Sequence, residues 1–251
     1  MIRTYYDALA PYYHLIYEDW EADIRTQAIA LDRIIRDFWG DARTILDAAC
    51  GIGTQSLGLA QLGYEVVGSD ISGGAIERAK REAARRGLNI DFRLADMRKL
   101  SEVWTQQFDV VIACDNAIPH LLSDEEILAA LRQLHLCTRP GGGCIISVRD
   151  YAKMELGGKQ MVPRTVHDVG RSTIVMFDVW EFDGDIYEMS TYIIEDTGEE
   201  FSTVRVLRAR YYCVTIDRLE ALMFAAGYAN IQTMRDRFFQ PLIIGTKQVA
   251  P

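Results

Sequence analysis

No run of lysine and arginine appears in this chain, no Cys-x-x-Cys pair, and no apolar stretch approaching the ~20 residues that a bilayer-crossing helix needs. The five cysteines, at positions 50, 114, 137, 144 and 213, lie mostly in or beside apolar runs and read as buried free thiols of a reducing compartment. Four histidines, His14, His120, His135 and His167, are scattered without metal-ligand spacing, so no structural or catalytic metal is expected. Acidic residues outnumber basic ones 36 to 27, giving a net charge of −9 that would repel a phosphate backbone, and no nucleic-acid partner is expected. The one basic cluster, Arg78 to Arg86, is broken by Glu82 and reads as the solvated face of a helix. The polar, aromatic N-terminus has no signal-peptide apolar region, so a cytoplasmic protein without membrane association is expected.

The 251 residues, about half of them apolar (49%), suffice for one globular domain or a core with a small cap. Two helical patterns span 5–39, the second with Ile24, Ala28, Leu31, Ile34, Ile35 and Phe38 on one face. They are expected to lie over the entrance of a site. From Thr44 the pattern alternates: strand to Ala49, helix from Thr54, strand 64–69, helix from Ser72, strand 89–94, strand 108–114, helix 124–137, strand 143–149. That rhythm predicts a mostly parallel, doubly wound sheet, an α/β fold. Ser123 and Glu126 make a Ser-x-x-Glu helix start, and Pro140-Gly141-Gly142-Gly143 is expected to end the helix. After Asp150, strand-like segments 172–181, 185–196 and 200–212, separated by Asp183-Gly184 and Thr197-Gly198, predict an antiparallel meander. A helix from Ile216 to Ala226 and a closing strand pair (230–234 and 238–247) complete the sheet.

Residues 45–54, Ile-Leu-Asp-Ala-Ala-Cys-Gly-Ile-Gly-Thr, carry an apolar run, an acid and a Gly-x-Gly pair before a helix. Gly51 and Gly53 permit a sharp turn and close approach of backbone to a ligand, although an ordinary tight strand-to-helix turn looks the same. Asp70 ends the next strand, where an acid accepts hydrogen bonds from a ribose. A dinucleotide fingerprint wants Gly or Ala where Ser56 stands, and Asp47 puts negative charge where a pyrophosphate would sit. S-adenosylmethionine has an adenosine for Asp70, an ammonium for Asp47 and no phosphate. The residues therefore favour a methyl donor over NAD.

With these motifs the chain resembles the class I S-adenosylmethionine-dependent methyltransferases, and the resemblance extends through Ala95-Asp96-Met97 and Cys114-Asp115-Asn116. It implies a Rossmann-like, seven-stranded sheet and S-adenosylmethionine as cofactor, with S-adenosylhomocysteine as product. Ala49 departs from the fuller Gly-x-Gly-x-Gly form. Ile71, Asp96, Met97, Cys114 and Asp115 become cofactor positions, with Asp96 near the adenine amino group.

Methyl transfer is an in-line displacement needing orientation and dryness more than a protein nucleophile. Asn116, His120 and Arg149 follow strands four and five, at the carboxyl edge where open α/β sheets bind ligands. Arg149 there fits a carboxylate clamp, or a salt bridge to Asp150; His120 fits a proton acceptor, or a packed ring. The motifs are most similar to glycine/sarcosine N-methyltransferases. That resemblance implies that Arg149, Tyr151 and Asn116 hold an amino-acid carboxylate and help close the site. It sets Arg25 against the methionine carboxylate, Tyr6 and Tyr17 over the donor, and Tyr192 and Tyr211 or Tyr212 near further tyrosines of that group. Asp150 and Ala117 depart from it, the former as an extra carboxylate beside Arg149.

The expected organisation is a helical cap over 1–40, a donor-binding core over 41–150 and 213–251, and a β insertion over 151–212 covering the acceptor. The expected partner is a small-molecule methyl acceptor, with monomer and homo-oligomer both open. Alternative readings are a small-molecule O- or C-methyltransferase, or a protein that binds S-adenosylmethionine without turnover.

Overall fold

A computed structural model describes residues 2–249 of the chain. Strands β1 (Thr44–Asp47), β2 (Glu65–Asp70), β3 (Asp91–Leu94), β4 (Phe108–Ala113), β5 (Thr138–Ser147), β10 (Tyr228–Met234) and β11 (Leu242–Lys247) form one sheet in the order β10-β11-β5-β4-β1-β2-β3. The pairs among β1 to β5 are parallel, and β11 lies antiparallel between β5 and β10. Central strands covered on both faces require continuous apolar runs, which is why Ile45, Leu46, Val110, Val111 and Ile112 are all fully buried.

Helices α1 (Ile2–Leu9), α2 (Trp20–Phe38), α3 (Thr54–Gln61), α4 (Gly73–Arg85), α5 (Asp124–Cys137) and α6 (Ile216–Ala225) complete the layers. The expected helical cover divides in two. Helix α1 and the 3₁₀ turn Tyr13–Ile16 reach the site, whereas α2 packs on α3 at the flank of the sheet. Gly58 on α3 permits that contact, since a Cβ there would stand 2.5 Å from the Ile24 carbonyl oxygen. None of the described helices is long and apolar enough to cross a membrane.

The basic cluster on α4 is not simply a solvated face. Glu82 is buried and pairs with Arg78, Arg85 and Arg86, while Arg86 also pairs with Glu21 and lies over Trp20, so the cluster ties α4 to α2. Helix α5 starts on Ser123, whose hydroxyl accepts from Glu126 N–H, and Glu126 in turn accepts from Leu122 N–H. It ends at Cys137, ahead of Pro140, and the Pro-Gly-Gly stretch forms an irregularity within β5.

Beyond β5 the chain builds a separate antiparallel sheet, β6 (Lys159–Val169), β7 (Ser172–Asp183), β8 (Ile186–Asp196) and β9 (Thr203–Tyr212), in that order. The expected three-stranded meander gains β6, whose polar residues and Pro163 conceal its alternation; Pro163 is tolerated at an edge strand beside a register shift.

Candidate functional site

The carboxyl ends of β1, β2 and β4 open into a cavity of about 330 Å³, within the size of small-ligand sites. Gly51 (φ 53°) and Gly53 (φ 99°) make the turn after β1 in the left-handed backbone region that a side chain resists. Asp70 accepts from Gly51 N–H (2.9 Å) and Ser72 N–H (2.8 Å), which fixes its carboxylate at the cavity wall. Burial raises its pKa against those two bonds. Asp96 caps the turn after β3, and although burial opposes ionisation, Arg98 at 2.6 Å and the Arg98 N–H hold its pKa below the usual carboxylate range.

Of the residues expected at the donor, Tyr6, Tyr17, Ala49, Gly51, Asp70, Ile71, Asp96, Met97, Cys114 and Asp115 line this cavity. Gly53 shapes the loop from behind, its α-carbon facing Leu57 and Ala79. Asp47 is turned away: fully buried, it accepts from the Ser56 hydroxyl at 2.7 Å beneath the loop, and burial pushes its pKa up to about 7. Arg25 is not brought to the cavity either, because on α2 it sits next to inward-facing Ile24 and so projects to solvent.

His120 stands at the cavity's far end. Its Nδ1 lies 3.2 Å from the Arg210 carbonyl and must donate, leaving Nε2 to accept from Tyr6 Oη at 2.7 Å. Burial drives its pKa down to about 3, so the ring is neutral, and its basic nitrogen is already occupied by a phenol.

Behind Tyr6 and Tyr13 lies a smaller recess of about 30 Å³, lined by Arg149, Arg164, Asp115, Thr191 and Tyr211 among others. Arg149, expected as a carboxylate clamp, thus faces a recess, but one largely filled by side chains. Arg149 donates to Tyr187 Oη at 2.9 Å and lies over the rings of Trp180 (5.2 Å) and Tyr211 (5.7 Å). Among the described residues it has no carboxylate partner, because Asp150 turns to Arg235 and to Lys153 (3.4 Å). Asn116 and Tyr151, each 1% exposed, support it from below: Asn116 accepts from Arg149 N–H at 3.0 Å and donates to Tyr151 Oη at 2.8 Å.

Two expected tyrosines lie elsewhere. Tyr192 is on the outer face of β8, stacked on Phe177 at 4.7 Å, and Tyr212 points out of β9 to Asp124 at 3.1 Å. Strand alternation puts their neighbours inside instead. Thr191 and Tyr211 face the recess, as does Tyr5, whose hydroxyl meets Thr191 Oγ1 at 2.9 Å. Thr191 donates to Asp178 (2.7 Å), which pairs with Arg164 at 2.6 Å, a polar chain that sequence reasoning missed. A period-two count anchored on Met189 and Ile193 would have found Thr191.

The family model described as "Methyltransferase domain" matches residues 45–142. Glycine/sarcosine N-methyltransferase of Parasynechococcus marenigrum is 30% identical over 140 residues, 56% of this chain and 49% of that protein. Ubiquinone biosynthesis O-methyltransferase of Ruegeria pomeroyi is 36% identical over 132 residues, 49% of this chain and 51% of that protein. The chain thus spans about half the length of these curated relatives. Among solved structures, Streptomyces venezuelae DesVI superposes with a TM-score of 0.78 at 17% identity, covering 90% of this chain and 92% of that one. S-adenosylmethionine-bound CalS10, an amino pentose methyltransferase from Micromonospora echinaspora, gives 0.77 at 18% identity with the same coverages. The matched stretch holds the glycine loop, Asp70, Asp96 and Asp115 of the cavity just described, so residues 45–142 carry a methyltransferase domain and the chain has the Rossmann-like fold of these solved methyltransferases.

Proposed function

We propose that the chain transfers the methyl group of S-adenosylmethionine to the amine of a small acceptor carrying a carboxylate, such as glycine or sarcosine. In this reading adenosine lies between Asp70 and Asp96, and the donor's charged end lies against Tyr6, Tyr13 and Tyr17. Aromatic faces and oxygen edges there stabilise a sulfonium until its charge is lost.

Arg149 is the observation that carries the acceptor assignment. A guanidinium enclosed by tyrosines and a tryptophan, with Asp115 in the same recess but no direct salt-bridge partner among the described residues, is costly to bury, and a bidentate carboxylate in the recess would supply that partner. The recess is small, so it accommodates few atoms beyond the reacting group unless α1 shifts. The glycine/sarcosine N-methyltransferase relative supports the same acceptor class. The ubiquinone O-methyltransferase relative favours a second reading, an oxygen acceptor.

Calorimetry with S-adenosylhomocysteine, followed by labelled methyl transfer over amino acids, amino sugars and phenols, tests both. Methylation of carboxylate-bearing amines is expected. Turnover of phenols alone would overturn the acceptor assignment, and tight donor binding with no turnover at all would favour a non-catalytic binder.

A further inference from the structure

The backbone at the tip of β4 takes an unusual conformation. Asp115 and Asn116 both carry positive φ, 56° and 61°, a left-handed conformation that costs non-glycine residues about 1–3 kcal/mol each. Ser147 holds the pair in place, its hydroxyl accepting from Asp115 N–H at 2.7 Å and its carbonyl from Asn116 N–H at 3.2 Å. The result is that Asp115 stands at the seam, lining both the donor cavity and the Arg149 recess. Its Oδ2 accepts from Tyr17 Oη at 3.0 Å, and Oδ1 has no hydrogen-bond partner among the described residues.

Resting on the function proposed above, we infer that Asp115 is a catalytic residue that receives the acceptor's ammonium and takes its proton, and that the substrate is accordingly a zwitterionic primary or secondary amine. Arg149 across the recess takes the carboxylate, and Asp115 offers the opposite charge to the amine. An N–H of the ammonium donates to Oδ1 and its proton passes to the carboxylate. The freed nitrogen lone pair forms the new N–CH₃ bond while the S–CH₃ bond breaks, its electron pair staying on sulfur as S-adenosylhomocysteine. The N-methylammonium leaves with its charge, and protonated Asp115 returns its proton to solvent. A hydroxyl acceptor would bring no positive charge to set against this carboxylate.

The groups facing Asp115 are Tyr6 from α1, Tyr13 and Tyr17 from the segment before α2, Asp23 from α2, Arg149 after β5, Arg164 from β6 and Tyr211 from β9, with Asp70 and His120 across the cavity. Burial puts Tyr6, Tyr13 and Tyr17 above their ordinary range and Tyr211 at about 12, and holds His120 at about 3. None of these titrates between pH 6.5 and 9; Asp47 beneath the glycine loop, pushed up to about 7, does so in the wild-type chain and the variant alike. Asp23 and Asp70, both raised by burial, are common to the wild-type chain and the variant.

The test compares Asp115→Asn with the wild-type chain over that pH range, using glycine, sarcosine and glucosamine as probes. Loss of a general base predicts kcat about 100-fold lower at pH 7. The variant's rate should then climb nearly tenfold per pH unit as the free amine fraction rises, while the wild-type rate changes far less. A deficit independent of pH, or activity close to wild type at pH 7, overturns the inference. A wild-type chain that binds S-adenosylhomocysteine but methylates none of the three amines overturns it together with the amine acceptor, whereas failure to bind S-adenosylhomocysteine overturns the donor assignment itself.

Discussion

Replacing Arg149 with methionine separates a substrate-binding arginine from a structural one. If Arg149 clamps the acceptor carboxylate, removing it leaves a dehydrated anion without a partner, a loss of about 3–5 kcal/mol in a buried pair. At about 1.4 kcal/mol per decade, kcat/KM for the acceptor should fall about 100- to 4,000-fold. The folded chain should barely respond. Methionine forfeits the Tyr187 hydrogen bond, worth about 1.5–3 kcal/mol to a charged donor. It also forfeits contacts with the Trp180 and Tyr211 rings, together about 1–2 kcal/mol. Against these losses it removes a dehydration penalty of several kcal/mol for a charge with no direct salt-bridge partner among the described residues. The two sides nearly cancel, so Tm should stay within about 4 °C at this chain length. Steady-state kinetics, calorimetry with S-adenosylhomocysteine and a thermal melt read the three quantities. A fall in Tm above about 10 °C, or a tenfold loss of donor affinity, would refute the assignment of Arg149 to the acceptor.

Asp70→Ala should weaken S-adenosylhomocysteine binding by about 100-fold, from two charge-assisted ribose bonds at about 1.5 kcal/mol or more each; a loss under fivefold in calorimetry would move the ribose elsewhere. Asp47, at about 7, binds its proton more tightly in the folded than in the unfolded chain. The Asp47 contribution to stability therefore falls as pH rises from about 4 to about 7 and is level above that, opposite in sign to the contribution of His120. Asp47→Asn abolishes this slope, and denaturant melts showing the same pH dependence in both chains would contradict the assignment. Glu82→Gln should cost about 2–4 kcal/mol by leaving Arg78 and Arg86 without their buried counter-charge, and urea unfolding that shows no loss would make the network dispensable.

The alternation of strands and helices behind the parallel sheet was legible because the βα units carry local signals: a mostly apolar strand, a small or acidic residue at its tip, and a capped helix start such as Ser72 or Ser123. Asp70, Asp96 and Asp115 could be placed for the same reason, since residues at strand tips inherit their position from the sheet. Side-chain direction was the harder part. Asp47 also lies at a strand tip, but the adjacent serine on α3 captures it, and nothing in the sequence says which way that carboxylate turns. Tyr211 and Tyr212 differ by one residue, and a strand sends them to opposite faces. Arg25 failed through helical periodicity, one position from a buried isoleucine. Arg164, Asp178 and Thr191 went unseen because their pairing crosses three strands, and one of those, β6, was itself concealed by Pro163 and polar residues.

Helix α1 is fastened at both borders of the cavity. Asp7 accepts from Ser72 Oγ (2.7 Å) and Gly74 N–H (2.8 Å) at the start of α4, and Tyr5 is bonded to Thr191 on β8. Swinging that single helix aside would release both fastenings together and uncover the adenosine end and the arginine end in one movement. Whatever enters or leaves either end would then share one doorway, and a chain stapled across Asp7 and Ser72 while empty should be unable to admit S-adenosylhomocysteine.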